Sequence, residues 1–181
     1  MDSFESAMQW ALDEGHARAE AIVKQRGRIV LFLLGPGHPP GDLALRRWVR
    51  DELGKLNIRG VVMEDVPEAS SNLAGKFEGI VKRFKPDLIV AIFTRAGRIV
   101  GVTFELGLLT GMLGFDKMVE KARYCVHAEM DEDKLMTAYV KEQLLVGRNL
   151  RFSSKRGLLQ NVVRFVDNYI IQSGGVPSPS W

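Results

Sequence analysis

Short, almost wholly apolar runs alternate with amphipathic stretches along this chain, and the alternation predicts its architecture. Residues 28–34, 59–63, 87–93 and 122–128 each read as a buried strand, with a weaker fifth at 150–153. Continuous apolar runs, unlike alternating ones, mark strands covered on both faces. The intervening segments carry helical spacing. Over 42–56, Leu45, Val49, Leu53 and Leu56 share one face behind Asp42 as an N-cap, and the other face is charged. Over 71–84, Leu73, Phe77, Ile80 and Phe84 share a face, and Pro86 stops the helix before the third strand. Helices over 131–145 and 155–172 complete the series, the last with an apolar stripe of Leu158, Leu159, Val162, Val163, Val166 and Ile170. Strands separated by helices predict an α/β fold with a parallel sheet of about five strands and helices on both faces.

Ahead of the first strand, residues 1–27 form a helical extension with Phe4, Met8, Ala11 and Leu12 on one side and Gly15 as a break. It either caps a sheet edge or pairs subunits in a homo-oligomer. Residues 28–172 then form the α/β domain. Residues 173–181, rich in Gly, Ser and Pro, have the composition of a flexible tail.

A chain of 181 residues suits one domain with a substantial core. Lysine and arginine together number 25 against 22 for aspartate and glutamate, and they are spread rather than striped. No nucleic-acid polymer is expected as a partner. Cys125 is the single cysteine and His16, His38 and His127 are the only histidines, which leaves no zinc-type ligand spacing and no disulfide framework. The acidic, polar first residues are unlike a signal peptide, and the apolar run from Val102 to Phe115 is too short to span a bilayer. A soluble, cytoplasmic protein without metal, cofactor or membrane partner is the expectation.

Candidate chemistry concentrates at the carboxyl ends of the strands, where open parallel sheets bind ligands. Strand one runs into Gly35-Pro-Gly-His-Pro-Pro-Gly41, strand two into Glu64 and Asp65, strand three into Thr94-Arg-Ala-Gly-Arg98, and strand four into His127. The Gly35 loop is a poor dinucleotide fingerprint, because its third glycine falls late and Pro36, Pro39 and Pro40 remove backbone donors. Gly35, Pro36 and Gly37 nonetheless form either a close wall for a flat ligand or a plain tight connector, with His38 in the same loop. Thr94, Arg95 and Arg98 offer polar contacts, the arginines to a phosphate or carboxylate or simply to solvent. Cys125 and His127, two apart on a strand, read as core packing, although His127 ends the strand.

Glu105 stands out. It is the one ionisable side chain between Arg98 and Asp116 in a helix apolar on nearly all sides, and such helices are normally buried. A helix beginning near Gly101 or Val102 places Glu105 in the first turn, where it either opposes the macrodipole or serves a site. A reciprocal capping box is unavailable because residue 102 is Val. Helix N–H groups would keep the carboxylate ionised, which suits a nucleophile or cation stabiliser better than a general acid. Gly107, Gly111 and Gly114 are read as allowing close helix packing.

Two stretches resemble known proteins. Val102-x-Phe104-Glu-Leu-Gly107 with Gly111-x-Leu-Gly114 is similar to a run in nucleotide-binding proteins with a TIR-like domain. Ile29-Val-Leu-Phe-Leu-Leu-Gly-Pro36 and Pro86-Asp-Leu-Ile-Val-Ala91 resemble the first-strand turn and third strand of nucleoside 2-deoxyribosyltransferases. The resemblance, spanning roughly Arg28 to His127, implies a flavodoxin-like (Rossmann-like) three-layer fold and chemistry at an N-glycosidic bond. It makes Glu105 the residue that acts at the anomeric carbon and implies a small-molecule nucleotide or nucleoside partner with no cofactor. A non-catalytic nucleotide sensor or a TIR-like interaction domain is the alternative. The chain departs from the transferase pattern in having Gly101-Val102 in place of Gly-Thr and Thr94, Arg95 and Arg98 in place of Asp or Asn, with Glu78 as a substitute acid.

Overall fold

The computed structural model describes residues 2–67, 72–130 and 149–174. The predicted 131–145 helix and most of the predicted tail lie outside them. Five parallel strands form one sheet in the order β2-β1-β3-β4-β5: β1 (Val30–Leu34), β2 (Arg59–Val62), β3 (Leu88–Phe93), β4 (Ala122–His127) and β5 (Asn149–Phe152). This is the doubly wound α/β arrangement of flavodoxin-like, Rossmann-like folds. All five predicted strands are present, with ends shifted by one or two residues.

The strands are continuous apolar runs because each buries both faces. Every residue of β3 is buried, and Val30 N–H donates to the Asp87 carboxylate at 2.9 Å, fixing the amino end of β1 against β3. One core lies between the sheet and α3 (Leu73–Phe84), α4 (Ile99–Leu113) and α5 (Phe115–Lys121). The other lies between the sheet, α2 (Pro40–Lys55) and α6 (Lys155–Gln172), with part of α1 (Asp2–Arg26) against it. The caps follow the sequence: Asn72 accepts from Gly75 N–H at 2.7 Å and Ser154 from Gly157 N–H at 3.1 Å.

Four expectations are corrected. The helix α1 runs unbroken through Gly15, and its predicted apolar side is not buried: Met8 and Leu12 are exposed. Only its last turns dock, through Ala21, Ile22 and a bidentate Arg26–Asp167 pair at 2.8 and 2.7 Å. The helix α2 starts at Pro40, so Asp42 lies within its first turn and is not the N-cap. The helix α4 is buried on one face only: Val102, Leu106 and Leu109 are inside, whereas Val100 and Phe104 are exposed. Gly107 and Gly111 face open space instead of a packed helix, while Gly114 adopts φ 85° to end α4, a conformation that favours glycine. Among the described residues, no helix is long and apolar enough to cross a membrane.

The core on the α3 face turns on Phe77, fully buried with its ring 5.4 Å from that of Phe32. Phe77→Ala should lower unfolding free energy by about 3–5 kcal/mol, measured by chemical denaturation, with the protein still folding.

Candidate functional site at the carboxyl edge of the sheet

The central strands β1 and β3 are neighbours, yet the chain leaves β1 for α2 on one face and β3 for α4 on the other. Their carboxyl ends therefore form the point where connections diverge, the usual ligand position in such sheets. The two loops that leave them touch. Arg98 N–H donates to the His38 carbonyl at 3.4 Å, and Gly97 lies against Pro36 so closely that a Cβ there would fall 2.3 Å from the proline ring.

Beneath these loops lies a cluster of charged groups. The Arg46 side chain, on α2, is almost wholly buried, and its guanidinium donates to both Glu64 carboxylate oxygens (3.0 and 2.6 Å) and to the Pro36 carbonyl (2.9 Å). Gly35 is required for this approach, since a Cβ would meet Arg46 Cδ at 2.8 Å and the Ile92 carbonyl at 3.1 Å. Asp42, one turn before Arg46, is also buried, its Oδ2 2.8 Å from where a Gly97 Cβ would sit. Three buried polar atoms here have no hydrogen-bond partner among the described residues: Asp42 Oδ2, Arg46 Nε and Glu105 Oε2. Buried polar atoms are rarely left unpaired, and several together mark a place where water or a ligand belongs.

Glu105 is 7% exposed. The helix α4 begins at Ile99 behind an extended Arg98, two residues earlier than expected, which moves Glu105 to the second turn and beyond the reach of the N-terminal dipole. The expected ionised state is therefore corrected. Burial pushes its pKa up to about 7, the neighbouring Glu64 charge adds to the rise, and Arg46 opposes it. The carboxyl group is poised to gain or lose a proton near neutrality, the property of a general acid or base.

The other predicted site residues divide into those the fold brings here and those it does not. Gly35, Pro36 and Thr94 are buried beside the cluster, Thr94 Oγ1 accepting from Gly97 N–H at 3.1 Å. Gly37, His38, Arg98 and Gly101 form the exposed rim, and a Cβ on Gly37 would stand 3.6 Å from Glu64 Oε1. Arg95 turns away to pair with Glu129 at 2.8 Å, both exposed. His127 points to the opposite face of the sheet, edge-on to the Phe152 ring at 5.3 Å, with Nδ1 accepting from Glu129 N–H at 3.2 Å. Cys125 is core, as expected, its thiol pushed up to about 12 by burial. Glu78 is exposed and paired with Lys82 on the surface, so it replaces no acid at this site. Asp42 and Arg46 were not among the predicted site residues. A separate cavity of about 240 Å³ opens at the amino ends of β4 and β5, where Arg123 is committed to the carbonyls of Val119, Glu120 and Ala122. It lies at the opposite end of the sheet from Glu105.

The fold and rim thus define an open, doubly wound α/β protein with an acidic cluster at its topological switch point. No protein-family model matches the chain, and no curated protein does. Among solved structures, a GDP-L-fucose synthetase from Naegleria fowleri shares 12% identity over 81% of this chain and 46% of that one, with a TM-score of 0.31. The chain therefore spans less than half the length of that enzyme, and likeness at this level carries nothing about activity.

Two stability tests follow from the geometry. Because the folded-state pKa of Glu105 lies above the ordinary carboxylate value, the folded protein binds more protons than the unfolded chain between about pH 4.5 and 7. Its contribution is fully present below that window and is lost as pH rises through it. Glu105→Gln should flatten that decline and leave the variant more stable than the parent at pH 8 by at most roughly 3 kcal/mol, read from denaturation curves across pH. Gly97→Ala must push apart Pro36, Thr94 and Asp42 and should cost about 1–3 kcal/mol, whereas Gly101→Ala, facing open space, should leave the melting temperature level or raised.

Proposed function

We propose that this protein binds a nucleotide or nucleoside at the carboxyl edge of the sheet, between the β1 and β3 loops, and cleaves or transfers at its N-glycosidic bond. One observation carries the reading: Glu105, a buried carboxyl group without a hydrogen-bond partner among the described residues, lies at the switch point of a parallel α/β sheet. Breaking the bond between sugar and base builds positive charge at the anomeric carbon. A preorganised carboxyl group in a dry site acts on that charge more strongly than one in water, by electrostatic stabilisation, covalent capture or proton transfer. The resemblance of the Phe104–Gly107 and Gly35–Pro36 segments to glycosidic-bond enzymes supports the same reading.

Within this proposal, Gly35, Pro36 and Gly37 form a wall for sugar or base, and Arg98 is the rim cation placed to meet an anionic group. Arg95 would have to leave Glu129 to do the same. A cytoplasmic location belongs to the proposal and rests on the single, unpaired cysteine. A second reading, an interaction domain, is favoured by one observation: the outer face of α4 presents Val100, Phe104 and Met112, with Phe115 just beyond.

Incubation with ribonucleosides, deoxynucleosides, nucleotides and NAD, followed by chromatography of released base, tests the reading. Release by the parent, reduced at least about a hundredfold in Glu105→Gln with circular dichroism unchanged, is the expected result. A ligand-dependent rise in melting temperature without base release would identify a binder instead.

A further inference from the structure

Of the three acids at this site, Asp42, Glu64 and Glu105, Glu64 is the one that bonds the Arg46 guanidinium among the described residues. Glu64 receives a donor on each oxygen, Arg46 NH1 at 3.0 Å and NH2 at 2.6 Å. These bidentate, charge-assisted bonds make Glu64 the ion-pair partner of the guanidinium. Glu105 receives none from the described residues, and its Oε2 is sealed from solvent. The Arg46 guanidinium has no freedom to change sides, because its second anchor is the Pro36 carbonyl at 2.9 Å and the whole side chain is buried.

Resting on the reading above, we propose that Arg46 divides the charge between two facing carboxyl groups, fixing Glu64 as the anion and leaving Glu105 as the proton carrier that protonates the departing base. Arg46 is a positioning residue; Glu105 is the catalytic one. Among the described residues, the groups that bear on Glu105 are few. Glu64 faces it from the turn after β2 and Arg46 from α2, with Asp42 one turn away on the same helix. The strands β1 and β3 carry no ionisable side chain. On β4, the Tyr124 phenol shares the α4 face, whereas Arg123 and His127 lie on the other. The charged residues of α3 and α5 are exposed or half-buried at the surface.

The chemistry balances as a hydrolysis. The C1′–N bond breaks with its electron pair passing to the base nitrogen system, which takes the Glu105 proton. Water then adds its oxygen to C1′ and returns a proton to the Glu105 carboxylate, while the fixed Glu64 anion offsets the positive charge on the sugar. Net, nucleoside and water give free sugar and neutral base, and the protein is restored. An acid at this position assists a base that leaves as an anion unless protonated, as purines and pyrimidines do. It does nothing for a pyridinium, which departs neutral. The substrate class is therefore a purine or pyrimidine nucleoside or nucleotide rather than a nicotinamide one.

The test is a ¹³C NMR titration of the full chain labelled at the glutamate carboxyl carbons, joined to pH–rate profiles. The resonance lost in Glu105→Gln should titrate near pH 7 in the parent, and Glu64→Gln should lower its midpoint by about one pH unit or more, because a like charge is removed and Arg46 is released. A Glu105 midpoint in the ordinary carboxylate range, or one that Glu64→Gln leaves in place, overturns the charge division whatever the reaction; the parent titration decides this even if Glu64→Gln does not fold. Purine-nucleoside cleavage should fall about tenfold per pH unit above 7 and exceed nicotinamide release from NAD; a flat profile, or NAD as the better substrate, overturns the acid role. With the titration intact, failure to release any base removes the glycosidic reading itself, and the acid role with it.

Discussion

A guanidinium buried as deeply as that of Arg46 is tolerable only with its charge met, and meeting that requirement organises the carboxyl edge of this sheet. Desolvating such an ion costs several kcal/mol, and removing its partner from a buried pair typically costs about 3–5 kcal/mol. Here the partner is Glu64, and a further N–H goes to the Pro36 carbonyl, while Nε has no partner among the described residues. One side chain thereby ties α2 to the turn after β2 and to the loop after β1. Gly35 follows as a necessity, since no larger residue leaves space for the Arg46 stem. The close approach of Pro36 and Gly97 then brings the β3 loop down on the same spot.

That arrangement sets the electrostatics of everything nearby. Once Glu64 has taken the guanidinium, Asp42 and Glu105 have no salt-bridge cation of their own among the described residues. Burial there lets Glu105 hold its proton up toward neutral pH. The same surroundings strengthen the response to any positive charge that forms there, because a preorganised site does not reorganise as the charge develops. A reaction that both creates a cation on one fragment and needs a proton on the other suits such a site.

Much of the fold was legible because parallel, doubly covered strands write themselves as unbroken apolar runs, and all five were readable along with the helices α2, α3 and α4 that join the first four. The position of the site at the strand ends followed from that topology, as did the prominence of Glu105. Its protonation did not, because the start of α4 lacks a capping side chain and moved by one half-turn, taking Glu105 out of the dipole. The α2 stripe was read correctly but incompletely, since Leu45, Val49, Leu53 and Leu56 all pack in or against the core. Its buried positions are Asp42, Arg46, Val49 and Leu53, spaced as one helical face, but two of them carry charges and were assigned to the cap and the solvent side. Charged residues that continue an apolar stripe toward the carboxyl edge of a sheet were the missed signal. Partner choice on the rim, such as Arg95 with Glu129 or His127 with Phe152, depends on strands distant in sequence and left no local trace.

The central claim is spatial, and a crystal structure of the protein with a slowly cleaved purine nucleoside or nucleotide tests it most directly. The account predicts the ligand between the β1 and β3 loops with its glycosidic bond within about 4 Å of the Glu105 carboxyl group, a distance compatible with reaction. A ligand seated elsewhere, as in the cavity at the amino ends of β4 and β5, with Glu105 still buried and out of contact with it, would contradict it.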